Sequence, residues 1–449
     1  MHSLLKVMRA VIFFLLFSIG AVALPGLVGV IPGRHLSKYV FTMLAVFIGV
    51  VLGACFLAKE KRAGLVLAVT ALSSLCLAVT LGDLVLRPLL TTRLYYRAHE
   101  RLGQTFAEFP QLKRYQPNQR LVLQAYGDLA NLAGRDELRQ YRALEFVTDE
   151  RGFRNLPAQG SAAFDVIALG DSFTTGLGTT QSDIWSSLLE SRHQMKTYNL
   201  GFQGSPWDQF MNLQIELPHI KTHQGTVLVW LMFTGNDLFE NYGLSVDPKD
   251  LLHNSGWALF AEKIRVFQER SPVKKLLSAA LRPLRRPDGA HWNVVSKPFL
   301  NGRDLLFYQF YVNNRHQAYE ELVALPNYSR LRDLIQAANH FFKIHQLQPI
   351  IFLAPSKAEV FSWLLDGQMS WSNDVGVSGF SKALSELCDS ESLRFVDLEP
   401  SLRQLSQATY ESSGELLWWY DDSHWNSTGH AGVAEIVAEQ IEVMMQPIE

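Results

Sequence analysis

Four short segments of the chain carry residue types that together could move an acyl group. Gly170-Asp171-Ser172-Phe173-Thr174 offers a hydroxyl, and Asn199-Leu200-Gly201-Phe202-Gln203-Gly204 offers backbone that can approach a substrate closely. Thr234-Gly235-Asn236-Asp237 offers a side-chain amide. Tyr420-Asp421-Asp422-Ser423-His424-Trp425-Asn426 offers an imidazole with carboxylates two and three positions upstream. A serine hydroxyl is a poor nucleophile at neutral pH and needs an imidazole to take its proton. The imidazole in turn needs a carboxylate to fix its tautomer. His424 with Asp421 or Asp422 can supply both from one loop. Backbone N–H groups near Ser172, a glycine N–H of the second segment and the amide of Asn236 could receive an oxyanion, and losing one such donor typically costs about 3 kcal/mol of transition-state stabilisation. Each segment alone is weak, because such glycines and asparagines are commonly turn residues; their weight is joint. His430, six positions beyond His424, reads as a surface or packing residue.

These segments fall at strand ends in an alternating strand–helix pattern. Asp165–Leu169, Thr197–Leu200, Thr226–Phe233, Pro349–Leu353 and Arg394–Asp397 read as strands. The strongest of them are almost continuously apolar, as befits strands covered on both faces. Ser182–Arg192 (with Ser182 as N-cap), Trp207–Leu217 and Gly429–Met444 read as helices. The expectation is an α/β fold with a mostly parallel sheet, helices on both faces and a site at the carboxyl ends of the strands. The expected domain spans 161–449, with an insertion at about 238–327. That insertion holds a basic helix candidate, Pro272–Leu284, read as a solvated surface helix, with anionic lipid or an acidic polymer as the alternative. Residues 91–160 read as a connecting region: helical patterning over Thr92–Phe109, then a strand from Glu145 and a turn at Gly152.

The order of the four segments resembles that of the SGNH (GDSL-like) hydrolase superfamily, whose name lists Ser, Gly, Asn and His. The resemblance covers residues from about 145 to 445, outside the insertion. It implies a flavodoxin-like three-layer αβα domain. It also implies Ser172 as nucleophile, His424 as base, and Gly204 and Asn236 as oxyanion donors alongside the Ser172 N–H. The usual family motif, Asp-x-x-His, selects Asp421. Some relatives, among them the alginate O-acetylation proteins, use Asp-x-His, which selects Asp422. The His424-Trp425 pair and Pro355-Ser356-Lys357 after the fourth strand resemble that second group, so both carboxylates stand as candidates. The implied activity is serine-dependent ester hydrolysis or O-acyl transfer on a cell-surface carbohydrate. The alternative is a catalytically silent module that binds glycan or a partner within a membrane polysaccharide-modification assembly. The small secreted esterases of the superfamily lack both the insertion and an apolar N-terminus.

That N-terminus sets the expected location. Val11–Ile31, Tyr39–Ala58 and Leu65–Leu86 are apolar runs, each about long enough to cross a bilayer core of roughly 30 Å as a helix. Residues 1–90 therefore read as an anchor of three transmembrane helices. Lys6 and Arg9 precede the first run, and Lys59, Lys61 and Arg62 separate the second from the third. These charges place the even loops in the cytoplasm, which puts the rest of the chain in the periplasm, tied to a bacterial inner membrane. Asp83 falls near the outer end of the third helix. The expected partners are an acylated small molecule or polysaccharide and the lipid bilayer. A net charge of -2 gives no footprint for nucleic acid. No cofactor or metal is expected, since no ligand cluster with metal spacing is visible. Cys55, Cys76 and Cys388 do not form a disulfide framework.

Overall fold

The computed structural model describes residues 101–157, 163–251, 271–276 and 293–446, apart from 107, 110, 111, 244, 369 and 372–375, together with 70, 74, 81–86 and 97. The chain divides into two compact units. One comprises Met1–Tyr95, Thr105–Lys113 and Leu252–Pro287; the other comprises Tyr96–Gln104, Arg114–Leu251 and Asp288–Glu449.

Within the first unit, residues 81–86 and 272–276 are helical. Asp83 is buried and accepts hydrogen bonds from Ser271 Oγ at 2.5 Å and from the Val273 N–H at 3.4 Å, so it caps the second segment. No helix among the described residues is long and apolar enough to cross a membrane. The first two apolar runs lie outside the described residues, as do Cys55 and Cys76, and the third run is described only at 70, 74 and 81–86. Most of the basic helix candidate, beyond residue 276, also lies outside them.

The second unit is mixed α/β. Within the run Thr92–Phe109 read as helical, residues 101–102 are helical but β1 (Gly103–Thr105) is a strand, paired with β2 (Lys113–Tyr115). Helical periodicity there is overridden by strand conformation from Gly103. Strands β3 (Arg120–Ala125) and β4 (Arg142–Val147) form an antiparallel pair around helix α1 (Asp128–Ala133). The central sheet is parallel throughout: β5 (Phe164–Gly170), β6 (Thr197–Asn199), β7 (Thr222–Phe233), β10 (Gln348–Ala354) and β11 (Arg394–Asp397), in the spatial order β11-β10-β7-β5-β6. In sheet sequence that is 2-1-3-4-5, so the chain changes winding direction between its first and third strands, where a crevice opens at the carboxyl edge. Between β7 and β10 an antiparallel hairpin, β8 (Val294–Pro298) and β9 (Asp304–Tyr308), stands apart from the sheet.

Both faces of the sheet are covered, which is why its strands are apolar at every position rather than alternately. Val166, Ala168, Val229, Leu231, Ile350 and Phe352 face one side. They pack with helices α3 (Trp185–His193), α9 (Glu399–Ser413) and α10 (Ser427–Met445). On the other side, Trp230 meets Phe210 of α4 (Pro206–Glu216) and Phe342 of α6 (Pro326–Ile344), with ring centroids 6.4 and 6.2 Å apart. The remaining helices used below are α2 (Ser172–Thr175), α5 (Gln309–Asn314), α7 (Lys357–Val360) and α8 (Gly379–Ser390). Ser182 lies in a single 3₁₀ turn rather than capping a helix; α3 starts at Trp185, and the Trp185 N–H reaches the His430 ring instead. His430 is accordingly a buried packing residue, and burial lowers its imidazole to about 3. Cys388 is buried on α8.

One buried cation ties β4 to the turn that follows β5. Arg154 is fully buried, and that burial lowers its guanidinium to about 9. A guanidinium has five N–H donors, and all five are used here. They reach Gln181 Oε1 at 3.0 Å and the carbonyls of Glu145, Thr175, Gly176 and Thr179 at 2.6–3.0 Å. Replacing Arg154 with Met removes all five of these hydrogen bonds; the Gly176 carbonyl and Gln181 Oε1 each keep a partner, the Thr179 and Val147 N–H groups at 3.3 Å. We expect Arg154→Met to lower the unfolding free energy by about 3 kcal/mol or more, read from the urea midpoint with an unchanged slope.

Candidate active site

Ser172 is the first residue of α2, directly after β5, and is half-buried. Asp171 caps this short helix by accepting from the Phe173 N–H at 2.8 Å. The Ser172 N–H itself donates to no acceptor among the described residues. His424 sits in the loop between α9 and α10. A single antiparallel bridge between Trp418 and Trp425 pins that loop, and Asn426 caps α10 by accepting from Gly429 N–H at 2.9 Å. The Phe173 ring lies 5.0 Å from the imidazole and 4.6 Å from Trp425, which fixes the plane in which His424 stands.

The separation that matters is short. His424 Nε2 lies 2.8 Å from Ser172 Oγ, within direct proton-transfer reach. His424 Nδ1 lies 2.9 Å from Asp422 Oδ1. Asp421 does not face the imidazole. Its Oδ2 accepts from the backbone N–H groups of Gly127 at 2.7 Å and Gln140 at 2.8 Å, and its Oδ1 from Arg142 Nη1 at 3.0 Å. Of the two carboxylates open on sequence, Asp422 belongs to the hydroxyl–imidazole pair, and Asp421 ties the 127–142 segment to the loop. Gly127 is obligatory at that contact, since a Cβ there would lie 1.8 Å from the Asp421 carbonyl oxygen.

Asp422 is fully buried, which by itself would push its carboxyl up. The Arg97 guanidinium, the His424 hydrogen bond and charge, and Arg142 overcome this and hold it well below the usual carboxylate range. Arg97 Nη2 reaches Asp422 Oδ2 at 2.6 Å and Arg142 Nη2 reaches the same oxygen at 2.5 Å. Lys357, on α7 after β10, donates through Nζ to the carbonyls of Trp419, Tyr420 and Asp422 at 2.6–3.2 Å. Burial brings its ammonium down to about 7. Asp128, Asp422 and His424 place ligand atoms within 4.8 Å of one another, a spacing a metal ion could use. Two guanidinium groups already supply the positive charge at this point, so the donor set does not fit a cation.

Gly204 and Asn236 emerge at the same carboxyl edge as Ser172, after β6 and β7, which flank β5. The Gly204 N–H has no acceptor among the described residues. A Cβ at Gly204 would lie 2.8 Å from Asp208 Cβ, so the glycine is also required by the capping box of α4. Asn236 gives one Nδ2 hydrogen to Glu240 Oε1, while its Oδ1 is buried without a partner. Acidic groups flank this end. Burial, then the Asp171 and Asp208 charges, raise Glu240 to about 8; burial raises Asp171 to about 6. Asp237, which accepts from the Phe233 N–H at 2.8 Å, is raised well above the carboxylate range by burial and by Asp171.

The 91–160 region, read as a connection, thus supplies Arg97, Asp128, Arg142 and Arg154 around the site. Sequence spacing carries no signal for these residues; Arg97 and Asp422 are 325 positions apart. Residues 238–251 and 288–327 of the expected insertion group with the sheet, whereas 252–287 group with the other unit. The β8–β9 hairpin packs Leu306 on Leu129 and Ala130 of α1, and the Leu306 N–H donates to the Tyr420 carbonyl at 3.0 Å.

No protein-family model matches the chain, and no curated protein is similar to it. One solved structure that aligns with it is 16% identical over 63% of this chain and 98% of its own, with a TM-score of 0.28. A likeness of that size carries no argument about fold or function.

Carboxyls raised by burial keep a proton in the folded state that the unfolded chain has already lost. Stability from such a group is present below its unfolded value and falls as pH rises toward its folded value. The windows run from 3.8 to about 6 for Asp171, from 4.5 to about 7 for Glu359 and from 4.5 to about 8 for Glu240. We expect Tm to decline from pH 5 to 8, and Glu240→Gln to flatten the upper part of that decline in a pH series of thermal melts.

Proposed function

We propose that this chain is a serine-dependent acyl-transfer enzyme of the SGNH type, with a flavodoxin-like αβα domain. The observation that carries the reading is the continuous line from Ser172 Oγ through the His424 imidazole to Asp422, with steps of 2.8 and 2.9 Å. His424 takes the serine proton as Ser172 attacks an ester carbonyl, and the resulting imidazolium is stabilised by the ionised Asp422. The Ser172 and Gly204 N–H groups and the second hydrogen of the Asn236 amide receive the oxyanion. Collapse expels the alcohol, which His424 protonates, and leaves an acyl group on Ser172. A second oxygen nucleophile, activated by the same imidazole, then takes the acyl group. With water the outcome is hydrolysis; with a sugar hydroxyl it is O-acyl transfer.

For location, the three apolar runs of residues 1–90 and their flanking charges favour a membrane tether with the sheet domain in the periplasm. A tethered catalytic domain on that side has cell-surface polysaccharide within reach, so an acylated carbohydrate is the substrate class this reading favours.

The test uses the purified full chain. Hydrolysis of p-nitrophenyl acetate is expected to vanish in Ser172→Ala and to fall by about 10²–10³ in kcat in Asn236→Ala. A fluorophosphonate probe is expected to add one adduct at Ser172, seen by intact-mass analysis. A wild-type chain that neither turns over the ester nor takes up the probe overturns the reading.

A further inference from the structure

The loop of His424 faces a second carboxylate that has no place in a three-residue relay. Asp128 opens α1, in a segment outside the strand–helix repeat. Its Oδ1 accepts from the Ser423 N–H at 2.8 Å and its Oδ2 from the Ser423 hydroxyl at 2.5 Å. Ser423 Oγ in turn lies 3.2 Å from His424 Nδ1, and Asp128 Oδ2 lies 3.8 Å from the same nitrogen.

The proton count decides what this arrangement does. Burial and the Asp422 charge raise the Asp128 carboxyl, while the Arg97 and His424 charges favour its ionised form; as a carboxylate Asp128 can only accept, and Ser423 spends its one hydrogen on it. Ser423 Oγ can therefore meet Nδ1 only as an acceptor, so Nδ1 must carry the hydrogen. That leaves the lone pair on Nε2, facing Ser172 Oγ at 2.8 Å. If the hydroxyl were free to turn, it could donate to Nδ1 and stabilise the tautomer that cannot take the serine proton. Asp128 also adds a negative charge within 4 Å of the imidazolium that forms during turnover.

We infer that Asp128 and Ser423 are positioning residues that form a second acidic arm on His424 Nδ1, locking its productive tautomer alongside Asp422. This inference rests on the acyl-transfer reading. The charged groups facing this point are Asp422 and Asp171, the guanidinium groups of Arg97 and Arg142, and Lys357. Arg97 spans both carboxylates, lying 2.6 Å from Asp422 and 3.6 Å from Asp128. It keeps two negative groups compatible in one buried place.

Two readouts on the full chain separate this role from plain scaffolding. The first is the ¹⁵N shift of His424 in histidine-labelled protein, assigned by its loss in His424→Gln; it reports tautomer and titration without any turnover. Asp128→Asn removes a negative charge beside the imidazole, so the His424 titration midpoint is expected to fall by about one pH unit. Asp128→Asn also frees the Ser423 hydroxyl to turn and donate to Nδ1, so it is expected to populate the second tautomer at neutral pH, whereas Ser423→Ala, which keeps the charge and removes that donor, is expected to keep the productive one. The second readout is ester turnover. Each single variant is expected to lose about tenfold in kcat with KM little changed, and Ser423→Thr, which restores the hydroxyl, is expected to recover it. Asp422→Asn is expected to keep residual activity that Asp422→Asn/Asp128→Asn loses. An unmoved midpoint and tautomer in Asp128→Asn overturn the inference, whether or not kcat falls. If Asp128→Asn does not fold, the Ser423 pair decides: a tenfold loss of kcat in Ser423→Ala that Ser423→Thr recovers supports the second arm, and an unchanged kcat in Ser423→Ala overturns it. An inactive wild type whose His424 midpoint still shifts as described sinks the enzyme reading and leaves the second arm standing.

Discussion

A buried carboxylate has to stay ionised beside His424, and much of the second unit is arranged around that requirement. Asp422 has no exposure to solvent, and a lone carboxylate there would take up a proton rather than bear the desolvation. Protonated, it would neither orient the imidazole nor favour an imidazolium. Two guanidinium groups on one of its oxygens, at 2.5 and 2.6 Å, leave the other oxygen free to accept from Nδ1. Arg is suited to this because it holds its charge when buried and spreads its donors in a plane. Arg142 uses that plane fully: it also reaches Asp421 and the carbonyls of Gln140 and Gly178, and stacks 4.3 Å from the Trp419 ring.

Neighbouring acids on one loop consequently do different work. Asp422 serves the imidazole, while Asp421 holds Gly127 and Gln140 and so brings α1 against the loop. Lys357 holds the same loop from the opposite side through three carbonyls. The cluster thus balances Asp128, Asp421 and Asp422 against Arg97, Arg142 and Lys357. Removing one member leaves buried charge uncompensated, which costs more than the intact set contributes. Cross-links of this kind fix the irregular backbone of the loop that carries His424.

The sheet was legible because burial on both faces imprints a local signal. Arg394–Asp397 matches its strand end to end, and Asp165–Leu169 and Pro349–Leu353 each fall one residue short at either end of β5 and β10. The positions of Ser172, Gly204, Asn236 and His424 followed from being next to those strands or to the last helix. The surrounding charge was not legible. Arg97, Asp128 and Arg142 meet Asp422 and Ser423 across 280 to 325 residues, and no periodicity marks a salt bridge. The choice between Asp421 and Asp422 was open for the same reason: spacing puts both near His424, and only the direction of each side chain separates them. At Gly103 the helical pattern misled because strand formation competes with, and here outweighs, local propensity.

The two ends of the site solve the problem of buried acid in opposite ways. At the imidazole end, guanidinium groups keep Asp422 ionised, so that positive charge forming on His424 is matched. Near Asn236 no cation among the described residues is paired with Glu240 or Asp237; desolvation raises Glu240 to about 8 and lifts Asp237 well above the usual carboxylate range. Burial raises Asp171 to about 6; its Oδ1 accepts from the Phe173 N–H at the start of α2, and its Oδ2 lies 3.5 Å from Ser172 Oγ. In the proposed acyl transfer, an oxyanion forming between Ser172 N–H, Gly204 N–H and the Asn236 amide would meet donors beside acids whose charged forms burial disfavours. Acyl transfer separates charge, with the imidazole turning positive as the carbonyl oxygen turns negative. In the proposed reaction that separation would meet a paired, ionised acid at the imidazole end and acids raised by burial at the other.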